Sequence, residues 1–196
     1  MREAKEPVIA PGTYGHFTAD GREYVVTEPA TPRPWVNVIS NPRLGLVVSQ
    51  AGGGFTFIDN SQLGMITVWH QDLCRDESGK FLYARDPESG ATWSLAPAPV
   101  WAADAAYECR HGLGYTEFRS VRDGIDARWT LFCHPTETVE LWRVELVNRS
   151  TRERRIELTP FLEWCCGVSP APRREFHKLF IATWFDRARG AVFAPP

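Results

Sequence analysis

Alternation with a period of two dominates the chain. In "GIDARWTLFC", Ile125, Ala127, Trp129, Leu131 and Cys133 fall on one side, and Asp126, Arg128 and Thr130 on the other. Successive side chains of a strand point to opposite faces, so this pattern predicts a half-buried β-strand. "VELWRVEL" repeats it, with Trp142, Val144 and Leu146 on the apolar side. In "RRIELTPFLEW", Ile156, Leu158, Leu162 and Trp164 share a face, but Pro160 interrupts it. Proline cannot donate to a ladder, so this segment reads as an edge strand or a bulge. Further strands are predicted at "WVNVIS", "LGLVVSQ", "FTFI", "MITVW", "FLYARD", "YTEFRSV" and "KLFIATWF".

Turn chemistry separates these runs. Asp123-Gly124 between "YTEFRSV" and "IDARW" is a strong hairpin signal, and Asp20-Gly21 precedes "REYVVTE". "DPESG" divides two short strands and "NRSTRE" two long ones. No stretch of a dozen residues carries a helical stripe with caps. The expectation is an all-β protein, a large antiparallel β-sandwich of two packed sheets. The Pro- and Gly-rich first half, to about residue 105, is expected to decorate a sandwich built mostly by residues 106–185. Residues 1–196 read as one domain, and the bare ending "GAVFAPP" reads as a truncation.

Composition narrows the classes. The 196 residues are 43% hydrophobic and 23% charged with a net charge of −2, a balance that favours neither disorder nor a nucleic-acid partner. The apolar runs are too short to span a bilayer by a helix, and the start "MREAKEPVIAPG" lacks the apolar core of a signal peptide. Five cysteines, at 74, 109, 133, 165 and 166, match no zinc spacing and predict reduced thiols in a cytoplasmic protein. Asn148-Arg149-Ser150 fits a glycosylation sequon and reads as a polar turn. Eight tryptophans are more than a chain of this length usually carries; many must sit in a core, and flat aromatic rings also suit the apolar face of a pyranose.

Candidate chemistry is sparse. "AGGGFTF", Ala51–Phe57, has no following helix and no Walker lysine, so it reads as a hairpin or a place where another backbone comes close. "YECRHGLGYT" places Cys109 and His111 two residues apart on one strand face. A nucleophile and base also need an orienting group and an oxyanion site, and no sign of either is present. The pairs His70/Asp72 and His16/Asp20 lack the third ligand of a metal site. His134 reads as a turn histidine and His177 as a strand histidine. Glu108, Glu117, Glu163 and Asp186 are carboxylates whose mutual distances the spacing does not fix. Substrate-binding or site-lining roles are assigned to Gly52, Gly53, Gly54, Phe55, Asn60 and Gln62 on a protruding hairpin, and to Arg110 and His111 as donors to sugar hydroxyls or a neighbouring chain. No catalytic, cofactor or metal residue is assigned.

Several ordered segments resemble the inverting glycoside phosphorylases of glycoside hydrolase family 94. They are "YGHF" with "GREYVVTEPATPRPWVNVISNP", "GGGFTF", "DESGKFLYARDPESGATWSLAPAPV" and "YECRHGLGYTEF". The resemblance implies a super-sandwich of the galactose-mutarotase-like type, followed in the family by an (α/α)₆ barrel that carries the aspartate acid and the phosphate site and that these residues do not match. It implies phosphorolysis of a β-glucosidic bond with inversion, inorganic phosphate as co-substrate, no metal or organic cofactor, a β-glucan oligosaccharide partner and a homodimer. "DNSQLGMITVWHQD" departs from the Arg- and Tyr-rich segment of the disaccharide enzymes and is closer to the glucan-synthase and oligoglucan branches. Three roles follow as expectations: the sandwich domain of such an enzyme, a stand-alone carbohydrate-binding module, or a dimerisation domain.

Overall fold

A computed structural model describes residues 12–70, 74, 76, 78–101, 106–168 and 181–194. In chain order its strands are β1 (Gly15–Phe17), β2 (Glu23–Val26), β3 (Val36–Ser40), β4 (Leu44–Ser49), β5 (Gly54–Ile58), β6 (Met65–Thr67), β7 (Lys80–Arg85), β8 (Thr92–Ser94), β9 (Ala106–Gly112), β10 (Tyr115–Arg122), β11 (Ile125–Cys133), β12 (Glu140–Asn148), β13 (Glu157–Leu162), β14 (Trp164–Gly167), β15 (Trp184–Asp186) and β16 (Ala191–Phe193). Among the described residues there is no helix.

One antiparallel sheet runs β1-β2-β9-β10-β11-β12, a second β14-β6-β5-β4-β3 and a third β13-β7-β8, while β15 and β16 pair alone. Of two two-residue joints, Leu113-Gly114 between β9 and β10 and Asp123-Gly124 between β10 and β11, the second is the one the Asp-Gly signal predicts. Arg122 pairs with Ile125, and Asp123 and Gly124 lie at φ 49° and 76°. Two left-handed residues give the primed turn whose twist matches the strands it joins.

Period two then decides what is buried. The inner face of the six-stranded sheet contributes Val26, Cys109, Phe118, Ala127, Trp129 and Leu131 to the main core. Ile39, Leu44, Leu46, Val48, Leu82, Ala84 and Trp93 meet them from the opposing sheets. β4 is buried along its whole length. Its other face joins Val47 to Phe55, Met65, Val68 and Cys165 in a second cluster. Gly45 makes room there, because a Cβ at that position would lie 2.2 Å from the Phe57 ring. The first half of the chain therefore supplies the opposing layer instead of decorating a finished sandwich, because a strand apolar on both faces belongs in a middle layer.

The outward face of the six-stranded sheet is a charged row. Arg110 pairs with Glu23 (2.7 Å) and Glu108 (2.5 Å); Arg119 bridges Glu108 (3.4 Å) and Glu117 (2.6 Å); Arg128 bridges Glu117 (3.7 Å) and Glu145 (3.3 Å). Opposite charges facing each other across strands support the register by about 0.2–1 kcal/mol per pair.

Two expectations change at the C-terminal side. "RRIELTPFLEW" is two strands, not one: β13 pairs with β7 and β14 with β6. β13 lies at a sheet edge as Pro160 predicts, but Leu158 and Leu162, which share a face, stay 40% and 36% exposed, while Phe161 on the opposite face lies beside Phe81 and Tyr83. "NRSTRE" separates two strands, and carries the chain from β12 across to β13 in another sheet. Of "KLFIATWF", Trp184 and Phe185 fall in β15, and its first residues lie outside the described ones.

Candidate functional site

The glycine turn joins β4 to β5, where Val48 pairs with Gly54. It does not protrude: Ala51, Gly52, Gly53, Gly54 and Phe55 are all buried. A Cβ at Gly52 would lie 2.5 Å from the Ala96 methyl, and one at Gly54 would lie 1.9 Å from the Val47 carbonyl oxygen. These glycines are spent on close backbone approach, the second of the two readings of the motif. Ser49 Oγ donates to Asp76, whose carboxylate also faces Gly53. Burial raises the Asp76 pKa above its ordinary value, against the lowering effect of those hydrogen bonds. Asn60 and Gln62 lie beyond the far end of β5, exposed, with Asn60 Oδ1 accepting the Gln62 backbone N–H at 2.9 Å. At about 3.3 Å per residue, β5 separates them from Gly54 by well over 10 Å, so the turn and this loop form no common site.

Arg110 and His111 are neighbours on β9 that point to opposite faces of the sheet. Arg110 belongs to the outer charged row and is saturated by Glu108 and Glu23, which raise its pKa further. Tyr115 donates to the same Glu23, and that bond pushes the phenol up to about 12. His111 faces inward. Nε2 lies 3.2 Å from the Trp35 carbonyl, which can only accept, so Nε2 carries the proton. Nδ1 then accepts from Thr116 Oγ1 at 3.0 Å, and Thr116 accepts from Asn37 Nδ2 at 3.2 Å. Burial lowers the His111 pKa to about 4. Cys109 lies 3.8 Å from the ring, and burial pushes its thiol well above the ordinary range. A neutral imidazole with both nitrogens committed beside an un-ionised thiol is no nucleophilic pair.

The remaining sequence candidates are also spoken for. Glu108 and Glu117 are interlaced with arginines in the outer row. Asp186 Oδ1 caps the turn into β16 by accepting the Ala188 N–H at 2.8 Å. His134 Nδ1 accepts the Glu137 N–H at 3.0 Å, as a turn histidine does. Asp20 accepts from Thr18 Oγ1 at 2.6 Å rather than meeting His16. Asp72 and His177 lie outside the described residues. Among the described residues no three His, Cys, Asp or Glu side chains converge as a metal site would require.

What sequence reasoning missed is a cavity of about 410 Å³ where the two layers part. Tyr107, Ser120 and Arg122 line it from the six-stranded sheet, Trp93 and Ser94 from β8 with Ala96, Pro97, Val100 and Trp101 from the loop after it, and Thr27 to Ala30 from the chain leaving β2. The buried glycine turn braces its back wall. Tyr107 donates its hydroxyl to the Gln50 carbonyl, Gln50 Nε2 donates to the Pro29 carbonyl at 3.0 Å, and Ala98 N–H donates to the Ala51 carbonyl at 2.9 Å. The only trace of it in the sequence was the tryptophan excess; which tryptophans stay accessible depends on strand order.

The family model described as "glycosyl hydrolase 94, supersandwich domain" matches residues 22–195. An N,N'-diacetylchitobiose phosphorylase of Vibrio furnissii is 37% identical over 153 residues, covering 77% of this chain and 19% of that protein. A solabiose phosphorylase of Paenibacillus borealis is 35% identical over 159 residues, covering 77% of this chain and 20% of the relative. A cyclic β-(1,2)-glucan synthase of Rhizobium meliloti (strain 1021) is 33% identical over 186 residues, covering 93% of this chain but 6% of its own length. The chain thus spans about a fifth or less of these relatives.

Proposed function

Because this chain belongs to glycosyl hydrolase family 94, as its supersandwich domain, we propose that it serves an inverting phosphorylase or glucan-building enzyme acting on β-linked glucosides, without supplying the reacting groups. The observation that carries this reading is the ordered match over residues 22–195 to a family whose relatives are named as phosphorylases and a glucan synthase. The site chemistry supports it: Cys109, His111 and the Glu108/Glu117 pair are each neutralised or saturated. In the reaction so proposed, phosphate is the nucleophile, one acid protonates the leaving oxygen and no cofactor takes part. The sandwich contributes contact to the saccharide and to a second subunit in a cytoplasmic homodimer. The solvent-facing Asn60 and Gln62, and the outer charged row of the six-stranded sheet, are the surfaces it offers to a second subunit.

The test is an assay of the 196-residue chain with phosphate and cellobiose, chitobiose or sophoro-oligosaccharides, reading sugar 1-phosphate. No turnover is expected, and sustained turnover by these residues alone overturns the reading. Sedimentation velocity reads the subunit contact separately.

A further inference from the structure

The cavity between the layers combines features that no structural role uses up. Arg122 lies on the inward face of β10, with its guanidinium carbon 5.9 Å from the centre of the Trp93 ring. Nε and Nη1 are buried without a partner, and no hydrogen bond or ion pair of the Arg122 side chain is found among the described residues. Buried guanidinium nitrogens without acceptors are costly, since the charge has lost water and gained no partner. On the chain leaving β2, Glu28 is exposed, and its Oε1 accepts the Ala30 N–H at 2.9 Å, while Oε2 has no hydrogen-bond partner among the described residues. Trp101 is 55% exposed although it lines the cavity, so a broad ring face is open to an occupant. Ala96 and Pro97 complete an apolar wall.

We propose that this cavity is a carbohydrate-binding site that takes a neutral pyranose unit of a β-linked glucoside. A pyranose presents an apolar face of C–H groups, which suits Trp101. It also presents vicinal hydroxyls that both accept and donate. Arg122 lines the cavity with a guanidinium whose side chain has no acceptor among the described residues, and Glu28 brings an exposed carboxylate as acceptor. The pairing discriminates against a simple anion, because Glu28 lines the same cavity and repels negative charge. A volume of about 410 Å³ lies within the range of small-molecule pockets, and an apolar lining with a few convergent polar groups is their usual construction. The glycine turn acquires a role here: it holds Tyr107 and Pro29 in place through Gln50, so the wall is formed before ligand arrives. The proposal rests on the preceding reading only for its choice of β-glucosides as probes.

Titration of the 196-residue chain with methyl β-glucoside, cellobiose and cellotriose tests it, read by tryptophan fluorescence and calorimetry. Saturable binding is expected, unaffected by inorganic phosphate. Trp101→Ala removes an exposed ring without opening the core, and Arg122→Gln removes the unpaired charge. Each is expected to weaken binding about tenfold or more, which corresponds to about 1.4 kcal/mol. Leu113→Ser, at a fully solvent-facing hairpin tip, leaves it unchanged. Absence of saturable binding overturns the proposal, as does binding that both cavity variants leave intact, or binding of glucose 6-phosphate in place of the neutral sugars. These titrations read the cavity whatever the phosphorolysis assay returns, so the two readings fail separately.

Discussion

Lys80 is the most demanding residue of the core, and its removal or isolation gives the sharpest test of the packing. Its side chain is 2% exposed and pairs with Glu140, itself 17% exposed. Nζ also donates to Thr56 Oγ1 at 2.7 Å, Thr56 donates on to Glu140 at 2.5 Å, and Trp142 Nε1 donates to Glu140 at 2.6 Å. The cluster ties β7, β5 and β12, one strand from each of three sheets. Burial lowers the Lys80 pKa from its ordinary value, and Glu140 opposes that shift. In Glu140→Gln the ammonium is left buried with neutral acceptors only, and shedding its proton becomes the cheaper course. At pH 7 that release costs about 4.6 kcal/mol for a lysine of unfolded pKa near 10.4, which caps the charge penalty. Lys80→Met leaves a partly exposed carboxylate with two donors, at about 3 kcal/mol, the low end for a broken buried pair. Lys80→Met with Glu140→Gln removes both charges and is expected to lie within about 1–2 kcal/mol of wild type. A lysine whose folded pKa is lowered weakens the fold below that pKa, and the penalty fades as pH rises toward the unfolded value. The Glu140→Gln deficit therefore shrinks by up to about 1.4 kcal/mol per unit between pH 7 and 10. Urea unfolding followed by tryptophan fluorescence measures all four proteins. Additive single losses, or a Glu140→Gln deficit that is small and flat with pH, would refute the reasoning.

Other sites give simpler expectations. His111 is neutral in the fold with a pKa of about 4 against 6.5 unfolded, so the unfolded chain takes up a proton first as pH falls. Stability is lost between pH 6.5 and 4, by about 3 kcal/mol in total, and His111→Gln flattens that part of the urea midpoint profile. Asp76 has a raised pKa, so its contribution is full at low pH and is lost as pH rises through the folded value; Asp76→Asn is expected to raise Tm at pH 7 and to lose that advantage near pH 3. Gly54→Ala puts a Cβ 1.9 Å from the Val47 carbonyl oxygen at φ 125° and is expected to cost well over 3 kcal/mol, whereas Gly21→Ala, with open space at φ 69°, costs about 1 kcal/mol; calorimetric melting compares them.

Alternation along β11 and β12 was legible because both strands pack one face on the core and keep the other outward. The Asp123-Gly124 turn was legible because only primed geometry suits that sequence. The middle-layer position of β4 was harder, since "LGLVVS" reads the same whether a strand is covered on one face or two. β13 was misjudged for a related reason. Leu158 and Leu162 satisfy the pattern of a buried face, but pattern does not say whether a covering layer exists. The phosphorylase resemblance was legible as an ordered set of short strings, and the family match confirms it. The cavity was not, because Glu28, Trp101 and Arg122 come from three separated segments that meet only through strand order. His111 is the converse case: its sequence neighbours raised the question of a catalytic pair, and in the fold Trp35 and Thr116 engage its two ring nitrogens.

The pairing of β2 with β9, Val26 beside Cys109, fixes an order of assembly. Strands β9 to β12 form a meander whose contacts are local in sequence, so its loops close at little entropic cost. The β1–β2 hairpin can add to that meander only after the chain has travelled through β3 to β8 and returned. Non-local pairing of this kind slows folding. The meander should be the nucleus, with the β1–β2 edge the last to zip and the first to open. Pulsed hydrogen exchange would show it as early protection of Phe118 and Trp129 amides and late protection at Val25, and the reverse order would contradict it.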